Sequence, residues 1–461
     1  MNDAQTRAAV EKMRAAGQTE DAVTAFSSAL HRLVSGVATT LPSRELEPAP
    51  DVPTLAGLPE VDGGDALAAT AVIKLNGGLA TSMGLNQPKS LLAAREGLTF
   101  LDIIVGRILT LRAAYGVKLP LVLMNSDATR TPSLAALGAH PELSVDGLDL
   151  DFLQSMIPKL DADTLGPVSW PENPALEWCP PGHGDVYSAL AGSGMLDELI
   201  SAGYRYAMIS NADNLGAMPD PRIAAHLAAE QIPFLMEVVR GTAADRKGGH
   251  IAMRVSDGQL VLRETAQTPP EDEESFRDYT HWRYYNTNSL WLDLHVLAER
   301  LSAGEGLELP VIVNHKTVDP RNRASTRVIQ LEAAMGAAIS AFPGAQLIEV
   351  PRSRFVPVKT TDDLLVLRSD AYALTPGFEI IARRPEALPL VELDQDFYKL
   401  IDQFDAHFPY GAPSLRDADK LSITGDVTFG RDVVVRGSVR YISDGRRTEI
   451  ADGTVLGRPG D

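Results

Sequence analysis

The sequence predicts an α/β protein in which a layered sheet is followed by a short left-handed parallel β-helix. Three observations carry that expectation. From Leu67 to about Arg384, short apolar runs alternate with amphipathic stretches, the pattern of strands layered against helices. Within it, Ala71–Leu75, a break at Asn76-Gly77-Gly78 and an apolar stretch from Leu98 to Tyr115 read as strand, glycine loop and helix. Finally, Leu421 to Leu456 breaks into short alternating segments punctuated by glycine, as in the turns of a β-helix; a small ordinary sheet is the other reading of that pattern.

In chain order, residues 3–35 carry apolar positions at helical spacing (Ala9, Val10, Met13, then Val23, Phe26, Leu30, Leu33) with an interruption near Gly17. They predict two short helices capping the main domain. The Pro-rich stretch Leu41–Pro59 reads as a linker or a segment hugging the surface. Strands are expected at Ala71–Leu75, Pro120–Asn125, Asp149–Gln154, Tyr204–Asn211, Phe234–Val239 and Ser289–Leu294. Several end in polar residues, and the carboxyl edge of an open α/β sheet is where ligands bind. The expected division is a helical cap and linker over residues 1–60, a central domain over 61–385 and a C-terminal domain over 386–461.

Composition sets the outer bounds. The 461 residues are 44% hydrophobic and 22% charged, as in a water-soluble globular protein of two or three domains. No apolar run approaches a membrane span, and the charged N-terminus lacks a signal-peptide core, so a cytoplasmic protein is expected. The net charge of −19 argues against nucleic acid or an anionic membrane as partner. A single cysteine, Cys179, excludes an internal disulfide and a cysteine metal cluster. It reads either as a thiol whose modification inhibits or as an inert buried one. In so acidic a chain, Lys89, Lys247, Arg352, Arg354 and Lys359 stand out as the cations that could meet phosphate.

The glycine loop offers backbone N–H groups to an anion, with Lys89 as a mobile charge beside them. It is neither a GxxxxGK[ST] nor a GxGxxG loop, and on residue types alone a tight turn accounts for it equally well. Its wording is more specific. Leu75-Asn76-Gly77-Gly78, Ser82-Met83-Gly84, Pro88-Lys89-Ser90 and Gly97-Leu98-Thr99-Phe100-Leu101-Asp102 closely resemble the nucleotide-binding loop of the eukaryotic-type UDP-glucose pyrophosphorylases (UTP–glucose-1-phosphate uridylyltransferases). Ala80 departs from the glycine usual there. The resemblance runs from about residue 70 to the C-terminus. It implies a Rossmann-like, mixed-sheet nucleotidyltransferase domain of the GT-A-like kind.

Further segments carry it. Trp178-Cys179-Pro180-Pro181-Gly182-His183-Gly184-Asp185 reads on its own as a decorated turn; the resemblance places Gly182 on the uracil and His183 on the sugar phosphate. Asn211-Ala212-Asp213-Asn214-Leu215-Gly216 follows a strand, where Asn and Asp usually form turns. The resemblance makes Asp213 the ligand of Mg2+ and sets Asn211 and Ala212 beside the sugar phosphate. Gln154 ends another strand with an amide that donates and accepts, as a uracil edge requires, and the family has glutamine there. Softer likenesses place Lys247, Glu264 and Asn286 on the sugar side. Val350-Pro351-Arg352-Ser353-Arg354-Phe355-Val356-Pro357-Val358-Lys359 resembles the segment bearing the family's catalytic lysine, which reaches the α-phosphate. Pro310–Asn314 and Gln330–Ala334 resemble segments that support the site by packing.

The implied reaction is attack by the phosphate oxygen of glucose 1-phosphate on the α-phosphorus of UTP, giving UDP-glucose and pyrophosphate. UTP would lie on Leu75, Asn76, Gly77, Gly78, Lys89, Gln154, Gly182, Asp213 and Lys359. The nucleophile is already an anion, so no general base is required, and positioning and charge neutralisation carry the step. Two alternatives remain: a uridylyltransferase for another sugar 1-phosphate, such as an N-acetylhexosamine, and a non-catalytic UDP-sugar sensor. A monomer or homodimer is expected, since few turns follow the Gly425-Asp426-Val427 segment.

Overall fold

The computed structural model describes residues 3–36, 40–303, 307–384, 387–443 and 445–457. At its centre lies a ten-stranded mixed sheet. Its strands are β1 (Leu46–Pro48), β2 (Thr70–Leu75), β3 (Leu121–Asn125), β4 (Asp151–Leu153), β5 (Tyr206–Asn211), β6 (Phe234–Arg240), β7 (His250–Arg254), β8 (Leu260–Arg263), β9 (Tyr284–Asp293) and β10 (Gln346–Glu349). The main path runs β1-β7-β9-β5-β2-β3-β4, with β6 between β9 and β10, and β8 beside β7. The β5-β2-β3-β4 half is parallel, and β9 joins it antiparallel to β5. All six expected strands are present, with ends shifted by one or two residues or, for β9, lengthened at its start.

The parallel half explains the unbroken apolar wording of β2. Helices cover both faces, so Ala71, Val72 and Ile73 are all fully buried. On one face, Val72 and Leu123 pack with Phe100, Ile104 and Ile108 of helix α3 (Phe100–Tyr115), with Leu364 and Leu365 of helix α4 (Thr361–Arg368), and with Leu421, Val427 and Phe429 of the tail. On the other face, Ala71, Ile73 and Val122 pack with Tyr187, Leu190, Leu199, Met236 and Met335. Helix α3 starts on a capping box between Thr99 and Asp102 and stops at Gly116 in the left-handed conformation.

Two further helices, α1 (Asp3–Ala15) and α2 (Glu20–Val34), form the expected N-terminal cap. Ala9, Met13, Val23, Phe26 and Leu30 pack on Ile157, Leu160, Cys179, Ile329 and Leu331, directly behind the segment leading to His183. The Pro-rich stretch hugs the surface: β1 adds an edge strand antiparallel to β7, and Leu46, Ala49, Leu55 and Leu58 are buried. In the tail, Leu390–Leu393, Ser414–Thr424, Val434–Ile442 and Val455–Leu456 pair in parallel succession, as do Val427–Phe429 and Thr448–Ile450. The expected boundary between residues 385 and 386 falls outside the described residues.

Candidate active site

The parallel strands β2, β3, β4 and β5 end on one edge of the sheet, and a cleft of about 300 Å3 opens there. It is lined by Leu75 at the end of β2 and Asn76, Gly77 and Gly78 after it, Met124 on β3, Gln154 after β4, Asn211 at the end of β5, and Ala212 and Asp213 after it. Lys89, Ser90, Pro180, Gly182 and His183 complete the wall. β2, β3, β4 and β5 reach the same sheet edge, which is why residues more than a hundred positions apart meet there.

The glycine loop is held from behind. Asn76 is buried, and its amide donates to Asn125 Oδ1 (2.7 Å) and Ser133 Oγ (2.8 Å), so its side chain anchors the loop and its backbone faces the cleft. Ser126 Oγ donates to the carbonyl of Gly77 (2.9 Å). A Cβ on Gly77 would lie 2.2 Å from Gln154 Oε1, so this position needs glycine for the glutamine to lie across it. Ala80 has φ of −79°, an ordinary value, and is buried; its methyl group brings no backbone strain.

Across the cleft Lys89 Nζ donates to Asp213 Oδ2 at 2.7 Å, with both side chains about one-fifth exposed. The other carboxylate oxygen, Oδ1, is buried and has no partner among the described residues. A hard divalent cation fits that orphaned oxygen. Among the described residues no cluster of three or more His, Cys, Asp or Glu could hold a metal, so a cation on Asp213 would take most of its ligands from phosphate oxygens and water.

His183 follows Gly182, whose φ is +81°. The backbone N–H of Met335 donates to His183 Nδ1 (2.9 Å), which leaves the proton on Nε2. Burial lowers the imidazole to about 4, so it is a neutral donor at physiological pH. Ala333, which follows the strand Arg327–Glu332 paired with Ile312–Thr317, fixes the turn by donating to Pro181 O and accepting from Gly184 N.

The remaining expected residues form a second group outside the cleft wall. Lys359 is exposed, and its charge opposes the upward shift that burial imposes on Glu264. Glu264 lies against Gly249, where a Cβ would meet its carboxylate at 2.6 Å. Asn286 donates to Asn288 Oδ1 (2.8 Å) and lies against Gly336. Lys247 is exposed, with its backbone carbonyl accepting from Thr265 Oγ1. The two arginines are not free phosphate ligands: Arg352 pairs with Asp245, and Arg354 with Glu237, which is fully buried. Met124 lines the cleft without having been singled out in the sequence; the register of Leu75 opposite Met124 at the ends of adjacent parallel strands is what brings it there.

A mixed α/β sheet with a glycine loop, an opposed lysine and aspartate, and a neutral histidine donor at one edge defines a nucleotidyltransferase. The chain belongs to the UTP--glucose-1-phosphate uridylyltransferase family, whose sequence model matches residues 24–436. It is 42% identical over 396 residues to a probable UTP--glucose-1-phosphate uridylyltransferase of Schizosaccharomyces pombe, covering 85% of this chain and 77% of that protein. It is 39% identical over 461 residues to the Hordeum vulgare enzyme, covering 98% and 94%. Among solved structures, a mutant of UDP-glucose pyrophosphorylase from Leishmania major in complex with UDP-glucose superposes with a TM-score of 0.92 at 41% identity, covering 99% of this chain and 98% of that one. The UDP-glucose phosphorylase of Trypanosoma brucei superposes at 0.90 with 41% identity, covering 98% of each chain.

Proposed function

We propose that the protein transfers the uridylyl group of UTP to glucose 1-phosphate, forming UDP-glucose and pyrophosphate reversibly. One observation carries the reading: Lys89 and Asp213 oppose each other in the cleft, and the backbone N–H of Val358, beside Lys359, donates to the carbonyl of Asp213 (3.2 Å). The segment that carries Lys359 therefore meets the turn that carries Asp213, which supports a shared role for the two lysines and the carboxylate. Family membership and the UDP-glucose bound by the Leishmania major relative support glucose as the sugar.

In this reading Gln154 and Gly182 receive the base, the amides of Gly77 and Gly78 with Lys89 hold the phosphates, and Leu75 and Asn76 shape the loop. His183 Nε2, Asn211 and Ala212 face the sugar phosphate, while Glu264, Asn286 and Lys247 surround the sugar. Mg2+ on Asp213 would neutralise phosphate charge. Lys359 offsets the negative charge that builds on the α-phosphate as the sugar phosphate oxygen attacks and pyrophosphate leaves. Loss of such a cation costs on the order of a hundredfold or more in rate. The parallel coils of the tail support reading it as a short left-handed β-helix. We take the enzyme as a cytoplasmic monomer or homodimer of three units, divided near residues 60 and 385.

The test is pyrophosphate release from UTP and Mg2+ with glucose 1-phosphate, with Lys359→Ala beside the natural protein. Turnover that collapses in the variant is expected. Turnover only with N-acetylglucosamine 1-phosphate moves the substrate; tight UDP-glucose binding with no turnover on any sugar phosphate makes the protein a sensor.

A further inference from the structure

A buried charge cluster lies directly beneath the cleft, and none of its members touches the cleft itself. Glu237, in β6, is fully buried and accepts from Arg354 through Nε (2.7 Å) and Nη2 (2.6 Å), and from Trp291 Nε1 (2.9 Å). Arg354 Nη2 also donates to the carbonyl of Met218 (2.8 Å). The backbone around Arg354 is stitched to the turn that bears Asp213. Asn214 Nδ2 donates to Arg354 O (3.2 Å), Val356 N donates to Asn214 Oδ1 (2.9 Å), and Val358 N donates to Asp213 O. Gly216 allows this approach, since a Cβ there would lie 2.4 Å from Ser353 O. From below, Lys74 Nζ donates to Ser210 Oγ (2.8 Å) and to the carbonyl of Ala217, bracketing the same turn from the strand that carries the glycine loop.

We infer that the Arg354–Glu237 pair is a positioning device for the reaction: it fixes the segment carrying Lys359 to the turn carrying Asp213, and so sets where the lysine stands relative to the metal-binding carboxylate. The inference rests on the role given to Lys359 above. A buried ion pair is poor evidence for stability, because its desolvation cost offsets most of its attraction. What it supplies is a fixed geometry. The planar guanidinium can hold one carboxylate with two nitrogens and a carbonyl besides, and a lysine ammonium cannot reproduce that fork. Arg354→Lys therefore keeps the charge that compensates Glu237 while loosening the segment.

The experiment is a double-mutant cycle on the full-length protein, with kcat, KM for UTP and the thermal midpoint measured for the natural protein, R354K, K359A and R354K/K359A. R354K is expected to lower kcat at least tenfold with KM for UTP changed less than threefold, and to change kcat less than twofold in the K359A background. A native kcat in folded R354K overturns the inference. So does a loss of equal size in both backgrounds, because the arginine then acts independently of Lys359. A native kcat in K359A alone instead removes the role of Lys359, a different failure. If R354K does not fold, Trp291→Phe, which deletes one hydrogen bond to Glu237, takes its place in the cycle with a two- to fivefold loss expected and the same two overturning results.

Discussion

Replacing Gly77 with alanine isolates recognition of the base from the chemistry. The residue has no left-handed backbone requirement, so a methyl group brings no strain of its own and slightly restricts the unfolded chain. Its cost lies in one contact. The added carbon would sit 2.2 Å from Gln154 Oε1 and 2.9 Å from its Cδ, so the amide must retreat by about 1 Å or more to reach ordinary van der Waals distance. Lys89, Asp213 and Lys359 are untouched. If Gln154 pairs with the uracil edge, losing that contact costs about 1–3 kcal/mol, or about five- to 150-fold in kcat/KM for UTP. Initial-rate measurements with UTP and CTP at fixed glucose 1-phosphate are the assay. Loss should fall on kcat/KM for UTP, and the preference for UTP over CTP should narrow. An unchanged kcat/KM, or a loss confined to kcat with discrimination intact, would refute the assignment of Gln154 to the base.

Other perturbations reach different parts of the site. Gly182→Ala places a Cβ 2.6 Å from the carbonyl of Ala333 at a φ of +81°, so the variant should lose stability by more than about 2 kcal/mol in urea unfolding, as strained left-handed positions do. Burial lowers His250 to about 3, where it stacks on Trp282 at 4.6 Å. Its unfolded value is near 6.5, so the unfolded chain binds the extra proton between those values and stability falls as pH drops through that window. At pH 5 this one group costs on the order of 2 kcal/mol. His250→Phe keeps a ring on Trp282, and its urea midpoint should fall less between pH 7 and pH 5 than that of the natural protein. Cys179 is buried, with its thiol pushed up to about 12, so a disulfide reagent such as DTNB should label it only after unfolding and leave native activity intact.

What the sequence revealed and what it concealed divide along physical lines. Strands buried on both faces announce themselves as apolar runs, and the capping box of α3 is written in adjacent residues, so the sheet's parallel half and the loop were legible. The edge strand Leu46–Pro48 was not, because a Pro-rich wording hides three residues of pairing. Arg352 and Arg354 sit in a basic stretch beside Lys359 and resemble it in charge. Their carboxylate partners, Asp245 and Glu237, lie more than a hundred positions away, and no local pattern shows a charge already satisfied across the sheet. Lys74 was concealed in the opposite way: it sits inside an apolar run, is fully buried, and is lowered to about 7 by burial and the nearby Arg354. Asn76 read as a ligand-facing loop residue, whereas its side chain serves the scaffold.

In the proposed reaction, the ion pair of Lys89 and Asp213 would act as a selector of visitors. Each charge answers the other through Asp213 Oδ2, so a stray phosphate would meet a lysine already paired and a stray cation a carboxylate with only Oδ1 open. An anion arriving alone can draw the lysine away only by stranding the carboxylate, and a cation arriving alone strands the lysine. A metal–triphosphate complex brings both signs together and lets the two residues change partners in one move. In the proposed role, an enzyme surrounded by free phosphate and free divalent ions would discriminate, through a single 2.7 Å contact, in favour of the species that carries both.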